Sequence, residues 1–277
     1  MPVPESMLKL AEELGRVPSP QETFDLFCRP PQISVARKEA EQMALGEPFS
    51  FKQDGDRIQA TSFGSGEKLV VLVHGWGGRG AQMTGFLPSL LEHGFRVITF
   101  DGPAHGDSEG TICHAPRMAD CLRILERREE GIYGIIGHSF GTIGINLAMN
   151  AGLDVQRVVE VAPFCWIKNR FREFCNAVGL SQEGEDEMLE ISEQYFTPGY
   201  LDSMAADKIA HKFKAAGLLF HDVEDREIPI AHAEAIAANW PGCRLFKTEK
   251  LGHRRIIRDT TVLKTTARFL DSGPTAL

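Results

Sequence analysis

From about residue 47 to the C-terminus, short apolar runs alternate with helix-forming amphipathic runs, and this alternation restricts the fold more than any other feature. The runs predict strands over 47–53, 57–63, 68–73, 95–100, 131–137, 155–161, 215–220 and 244–248. Helices are predicted over 81–92, 115–128, 142–150, 231–238 and 256–270. Strands that alternate with helices pair mostly in parallel, because each crossover must return across the sheet. The run Lys68-Leu69-Val70-Val71-Leu72-Val73 has no polar alternation, as a strand covered on both faces requires. Asp54-Gly55 between the first two runs is a hairpin signal, so that pair is antiparallel. The expectation is an α/β chain with a mostly parallel sheet and helices on both faces.

Two stretches stand outside the alternation. Residues 1–46 read as a helical N-terminal extension, with Ser19-Pro20-Gln21-Glu22 forming a capping box that carries Pro at the first helical position. Phe24, Leu26 and Phe27 in that extension need an apolar surface to cover. Residues 163–214 lack a core strand and read as a helical cap insertion, leaving 47–162 and 215–277 as the core. The insertion holds an acidic stretch over 183–193, expected to face solvent, and the aromatic residues Phe164, Trp166, Phe171, Phe174, Tyr195, Phe196 and Tyr200. No internal repeat interrupts this scheme.

Composition narrows the partners. With 30 Lys and Arg against 38 Asp and Glu, the net charge of −8 excludes the basic footprint that nucleic-acid binding needs. No run of 18 apolar residues suggests a membrane span, and the N-terminus lacks the basic start and apolar run of a signal peptide. The six cysteines are scattered without CxxC spacing, so neither a disulfide framework nor a zinc site is expected, and a cytoplasmic location is. Oligomeric state stays open.

Two glycine-rich motifs compete for the chemistry. Gly75-Trp76-Gly77-Gly78-Arg79-Gly80 follows a strand, precedes a helix and is followed by Asp101 at the next strand end, the outline of a dinucleotide-binding unit. Gly137-His138-Ser139-Phe140-Gly141 also joins a strand to a helix, with small residues two positions either side of Ser139. Alone, that second motif is weak, since a Ser at a helix start is commonly a cap. Beyond it, Asp225 follows one later strand and His253 another. Ser139, Asp225 and His253 thus fall at the carboxyl ends of predicted strands, the edge where parallel-sheet sites form. A hydroxyl becomes a usable nucleophile when a neutral imidazole takes its proton and a carboxylate fixes that imidazole's tautomer.

The chain resembles the α/β-hydrolase superfamily, and specifically its serine esterases, over about residues 48–270. The resemblance is carried by His74-Gly75-Trp76-Gly77-Gly78, by Asp101 to Ser108 (DGPAHGDS), by GHSFG, by Asp225-Arg226-Glu227-Ile228-Pro229 and by Gly252-His253. It implies an eight-stranded, mostly parallel sheet, with Ser139 as nucleophile, His253 as base and Asp225 as acid. It also implies an oxyanion hole formed by the backbone N–H groups of Trp76 and Phe140, which explains the first glycine-rich loop without a dinucleotide. Asp222 and Glu224 crowd the same loop, but the D-x-x-I-P spacing selects Asp225. Asp101, Asp107, His105 and His138 are read as braces of turns. His74 is read mainly as a brace too, and is carried with Phe164 and Trp166 as a candidate for the substrate pocket.

What the resemblance implies is acyl transfer on a small-molecule carboxylic ester or thioester, with no cofactor and no metal. A Ser at the elbow sets aside the dehalogenases and epoxide hydrolases, which carry Asp there. A cofactor-free perhydrolase, a carbon–carbon bond hydrolase and a non-catalytic small-molecule binder of the same fold stay as alternatives.

Overall fold

The computed structural model describes residues 8–9, 12–196 and 200–272. Eight strands form one sheet: β1 (Glu47–Gln53), β2 (Asp56–Phe63), β3 (Leu69–Val73), β4 (Arg96–Phe100), β5 (Gly134–His138), β6 (Arg157–Val161), β7 (Ala216–Asp222) and β8 (Arg244–Thr248). Their spatial order is β1-β2-β4-β3-β5-β6-β7-β8. The β1–β2 hairpin and the β2–β4 pair are antiparallel, and the other pairings are parallel.

All five residues of β3 are buried, and their side chains divide by the strand's period of two. Leu69, Val71 and Val73 join the core on one face, where α4 (Ala115–Arg128), α5 (Phe140–Asn150) and α10 (Ala231–Asn239) pack. Val70 and Leu72 join the core on the other face, under α3 (Leu87–Glu92) and α12 (Thr260–Ser272). Each such aliphatic side chain, moved out of water, stabilises the fold by about 1.5–3 kcal/mol.

Two predicted helices are broken in the structure. The stretch predicted at 81–92 is a 3-10 segment, Gly80–Phe86, followed by the short α3. Pro88 has no N–H to return to Thr84, and the Thr84 carbonyl accepts instead from Leu87. The last predicted helix is interrupted at Asp259, whose carboxylate accepts from the backbone N–H groups of Thr261 and Val262 at 2.9 and 3.0 Å and starts α12 afresh.

The two outlying stretches pack on each other. In the extension, Ser19 Oγ accepts from Glu22 N and the Glu22 carboxylate accepts from Ser19 N, closing the capping box ahead of α1 (Pro20–Phe27). Phe24 and Phe27 of α1 lie against the insertion helices α6 (Ile167–Ala177) and α7 (Gln182–Phe196). Ring centroids are 4.1 Å apart for Phe27 and Phe171, 5.5 Å for Phe27 and Phe174, and 5.2 Å for Phe24 and Tyr195. The acidic helix α7 exposes most of its carboxylates, but Glu185 is turned inward and pairs with Arg172 at 3.2 Å. The Tyr200 side chain lies outside the described residues.

Candidate active site

Three loops leave the carboxyl ends of β5, β7 and β8 and meet above the sheet. The first is the turn from β5 into α5. Ser139 sits there at φ 52° and ψ −121°, a left-handed conformation that costs a non-glycine residue about 1–3 kcal/mol and survives only where neighbours enforce it. They do: Ser139 N donates to Val161 O at 3.0 Å, and the Ser139 carbonyl accepts from Thr142 N at 2.9 Å and Thr142 Oγ1 at 2.7 Å. Gly141 allows the tight passage, since a Cβ there would stand 2.5 Å from the His74 carbonyl.

The second and third loops bring up His253 and Asp225. His253 Nδ1 donates to Asp225 Oδ2 at 2.8 Å, and His253 Nε2 stands 2.8 Å from Ser139 Oγ. The sequence candidates Ser139, His253 and Asp225, separated by up to 114 residues, therefore form one continuous hydrogen-bonded chain. The other carboxylate oxygen of Asp225 accepts from Glu227 N at 2.8 Å and Ile228 N at 2.9 Å. Burial pushes the Asp225 carboxyl up, but hydrogen bonds from His221 and His253 outweigh it and hold the group well below the usual carboxylate range. Asp225 is thus an anion directed at the imidazole.

Two further residues align these loops: Asp222, whose role the sequence did not disclose, and His138, read from the sequence as a brace. Asp222, at the end of β7, accepts through Oδ2 from Thr248 Oγ1 and Leu251 N, both at 2.9 Å, and through Oδ1 from Glu224 N at 3.0 Å. One buried carboxylate therefore ties the acid loop to the loop that carries His253. Its only sequence signal was its crowding with Asp225. His138 Nε2 donates to the His253 carbonyl at 2.9 Å, tying the base loop to the Ser139 turn. Burial lowers the His138 imidazole to about 3, so it is neutral at ordinary pH.

The glycine-rich loop after β3 is held by imidazole acceptors. His74 donates from Nδ1 to Gly75 O at 2.7 Å and accepts at Nε2 from Gly102 N at 2.8 Å. His105 accepts at Nε2 from Gly77 N at 3.1 Å, and burial lowers it to about 3. Asp101, the residue a dinucleotide reading would give to a ribose, accepts from Gly80 N at 2.7 Å and Asp107 N at 2.8 Å. It is a loop brace. Among the described residues no acceptor faces the backbone N–H of Trp76 or Phe140, and their rings meet edge to face at 5.1 Å.

These groups open into a cavity of about 1130 Å3. Ser139, His253, Trp76, Phe140 and Phe164 line it, and so does the segment from Cys28 to Ile33 of the N-terminal extension. That segment is fastened to the core: Gln32 Nε2 donates to Ala104 O at 2.7 Å, and Cys113 N donates to Cys28 O at 2.8 Å. Two pocket candidates lie elsewhere. His74 is fully buried beneath the glycine-rich loop because both its ring nitrogens are bonded to backbone. Trp166 turns away because its indole N–H donates to Asp207 at 3.3 Å and its ring packs on His232 at 4.4 Å.

A strained Ser at a strand-to-helix turn, a buried imidazole–carboxylate pair and an eight-stranded sheet of this order are features of α/β hydrolases. The chain belongs to the alpha/beta hydrolase family, whose pattern matches residues 70–263. A Yersinia enterocolitica protein named as a carbamate hydrolase is 35% identical to it over 99 residues, 34% of this chain and 35% of that one. The pimeloyl-[acyl-carrier protein] methyl ester esterase of Methylococcus capsulatus is 45% identical over 51 residues, 18% of this chain and 17% of that one. The chain thus spans about a third or less of the length of these curated relatives. A crystal structure of a Pyrococcus furiosus esterase superposes with a TM-score of 0.64 at 18% identity, covering 87% of this chain and 95% of that one. At that identity the likeness is one of fold.

Proposed function

We propose that the protein is a serine hydrolase that cleaves a small-molecule carboxylic ester or thioester through an acyl-enzyme on Ser139. The observation that carries this reading is the continuous Ser139–His253–Asp225 hydrogen-bond chain, open to the cavity at the serine end. His253 takes the Ser139 proton as the hydroxyl attacks the carbonyl carbon, and Asp225 holds the imidazole's other nitrogen and stabilises the imidazolium. The backbone N–H groups of Trp76 and Phe140, which have no protein acceptor among the described residues, receive the oxyanion. His253 then returns the proton to the departing alcohol or thiol, and a water deprotonated by His253 releases the acid. Both curated relatives bear names of hydrolases, one of them an ester hydrolase, which agrees with this chemistry.

The test is labelling with a fluorophosphonate, with hydrolysis of p-nitrophenyl acetate measured alongside. An adduct mapped to Ser139, together with turnover that falls by roughly 10⁴-fold or more in Ser139→Ala, is the expected result. Folded protein with neither adduct nor turnover would sink the reading in favour of a non-catalytic binding protein.

A further inference from the structure

The loop that carries the Trp76 backbone N–H has few restraints of its own. Gly75, Gly77 and Gly78 surround Trp76, and glycine loses more conformational freedom on ordering than any other residue. A backbone bond from Gly78 N to Gly75 O, at 3.0 Å, closes the turn. The Trp76 indole N–H is buried without a hydrogen-bond partner among the described residues. Its ring is placed by packing instead, 5.1 Å from Phe140 and 5.5 Å from His105 between centroids.

The N-terminal extension supplies restraint from outside. A Cβ on Gly77 would stand 2.7 Å from Cγ and 3.1 Å from Cδ of Pro31, so the Pro31 ring fills the space over the Gly77 backbone, one residue from Trp76. Gly77 N also donates to His105 Nε2 at 3.1 Å. Gln32, the residue after Pro31, donates from Nε2 to the carbonyl of Ala104 at 2.7 Å, directly before His105. Pro31 and Gln32 therefore meet the two partners of the Gly77–His105 bond, one each. The segment is stiff, because Pro30 and Pro31 have fixed φ, and its start is anchored where Cys28 O accepts from Cys113 N at 2.8 Å. Helix α1 ends at Phe27, so its ring contacts with the insertion are no part of this clamp.

Acyl transfer makes the aim of that loop matter. The full negative charge on the carbonyl oxygen exists only in the tetrahedral state, so a donor counts only where it points at that position. A displacement of about 1 Å can cost on the order of 100-fold in rate. From this we infer that Pro31 and Gln32 are positioning residues, which clamp the glycine-rich loop so that the Trp76 N–H stays aimed at the oxyanion. The N-terminal extension thereby acts on the rate of the reaction as well as on the shape of the cavity. This inference rests on the acyl transfer proposed for Ser139 and on the role given to Trp76 above.

The experiment compares Pro31→Gly and Gln32→Ala with the unaltered full chain on p-nitrophenyl acetate, with active sites counted from the endpoint of fluorophosphonate labelling. Each substitution should lower kcat per active site by roughly 10- to 30-fold with KM changed less than about twofold, a part of the ~10²–10³-fold that a whole oxyanion donor contributes. A trifluoromethyl ketone inhibitor forms a hemiketal on the nucleophile and places its oxyanion at the same point. Its Ki should rise by the factor by which kcat falls, while the Ki of the corresponding trifluoromethyl alcohol, which forms no adduct, should stay the same. Unchanged kcat per site and unchanged ketone Ki, with only stability or the number of active sites reduced, overturns the inference and leaves the two residues as packing. A rise in KM with kcat intact also overturns it and assigns the segment to substrate binding. Should Pro31→Gly fail to fold, Gln32→Ala decides the matter, since that side chain is exposed. If the unaltered chain neither labels nor turns over, the hydrolase reading itself fails.

Discussion

The edge of the sheet that carries Ser139 and the cover above it are held by different forces. At the edge, Asp222, His138, His74, His105 and Asp101 each bond to backbone groups of a neighbouring loop, at 2.7–3.1 Å. Directional bonds of that kind fix position to within a fraction of an ångström, which the proposed proton transfer between Ser139 and His253 requires. The cover is made of α1 and the insertion helices, joined by Phe24, Phe27, Phe171, Phe174 and Tyr195 ring to ring. Such packing is strong but non-directional, so it tolerates a change of shape. The comparison teaches that the proposed chemistry and the shape of the cavity rest on separable parts: the bonded edge positions Ser139 and His253, and the cover contributes Phe27 and Phe171 to the cavity wall.

The sharpest way to break this division is at the acid. Asp225→Asn should lower kcat for ester cleavage by about 10³–10⁴-fold while the far-UV circular dichroism stays that of the folded protein, since Asn at this position permits the wrong imidazole tautomer. A loss below tenfold would mean that another carboxylate orients His253.

On the cover, Phe27→Ala should destabilise the protein by about 3 kcal/mol, because a buried ring is lost between two helices. Its kinetic signature should be a changed acyl-chain-length preference in kcat/KM, with kcat on the acetyl ester altered far less than by Asp225→Asn. Equal loss of kcat on all esters would show that edge and cover are not separable.

Asp222→Ala tests the edge without touching the reacting groups. Removing the acceptor of Thr248 Oγ1 and Leu251 N should cost about 1–3 kcal/mol in denaturant unfolding. It should also lower kcat about 10- to 100-fold through loosening of the His253 loop, with KM little changed. Unchanged kcat would make Asp222 a purely structural staple.

The last effect, on stability and not on turnover, concerns Glu160, on β6 beneath the edge. It is fully buried, and neither carboxyl oxygen has a hydrogen-bond partner among the described residues. Burial pushes its carboxyl up to about 8. The unfolded chain releases this proton in the ordinary carboxylate range and the folded chain only near pH 8, so stability falls as pH rises through that window. Glu160→Gln should flatten that decline in thermal melts between pH 5 and 8, a range taken from the two titrations. His105 and His138 act oppositely. Both are lowered to about 3, so below the ordinary histidine range the unfolded chain takes up protons that the folded chain refuses, and stability falls as pH falls. An unchanged slope between pH 5 and 8 in Glu160→Gln would show that the decline has another origin.

The sequence alone determined the sheet and the candidates for the proposed reacting groups. Strand–helix alternation, the unbroken apolar run of β3 and the Asp54-Gly55 turn are local patterns, and local patterns are what periodicity reports. Ser139, Asp225 and His253 were legible because each sits in a short motif at a strand end. Tertiary structure decided the rest. That Asp222 and His138 align the base loop depends on carbonyl and amide groups 29 and 115 residues away, which no spacing rule reveals. That His74 and Trp166 leave the cavity, while the segment from Cys28 to Ile33 enters it, depends on which partners compete for each side chain once the helices pack. Chemistry is written in residue type, whereas the shape and charge of a cavity exist only when distant segments are brought to the same place.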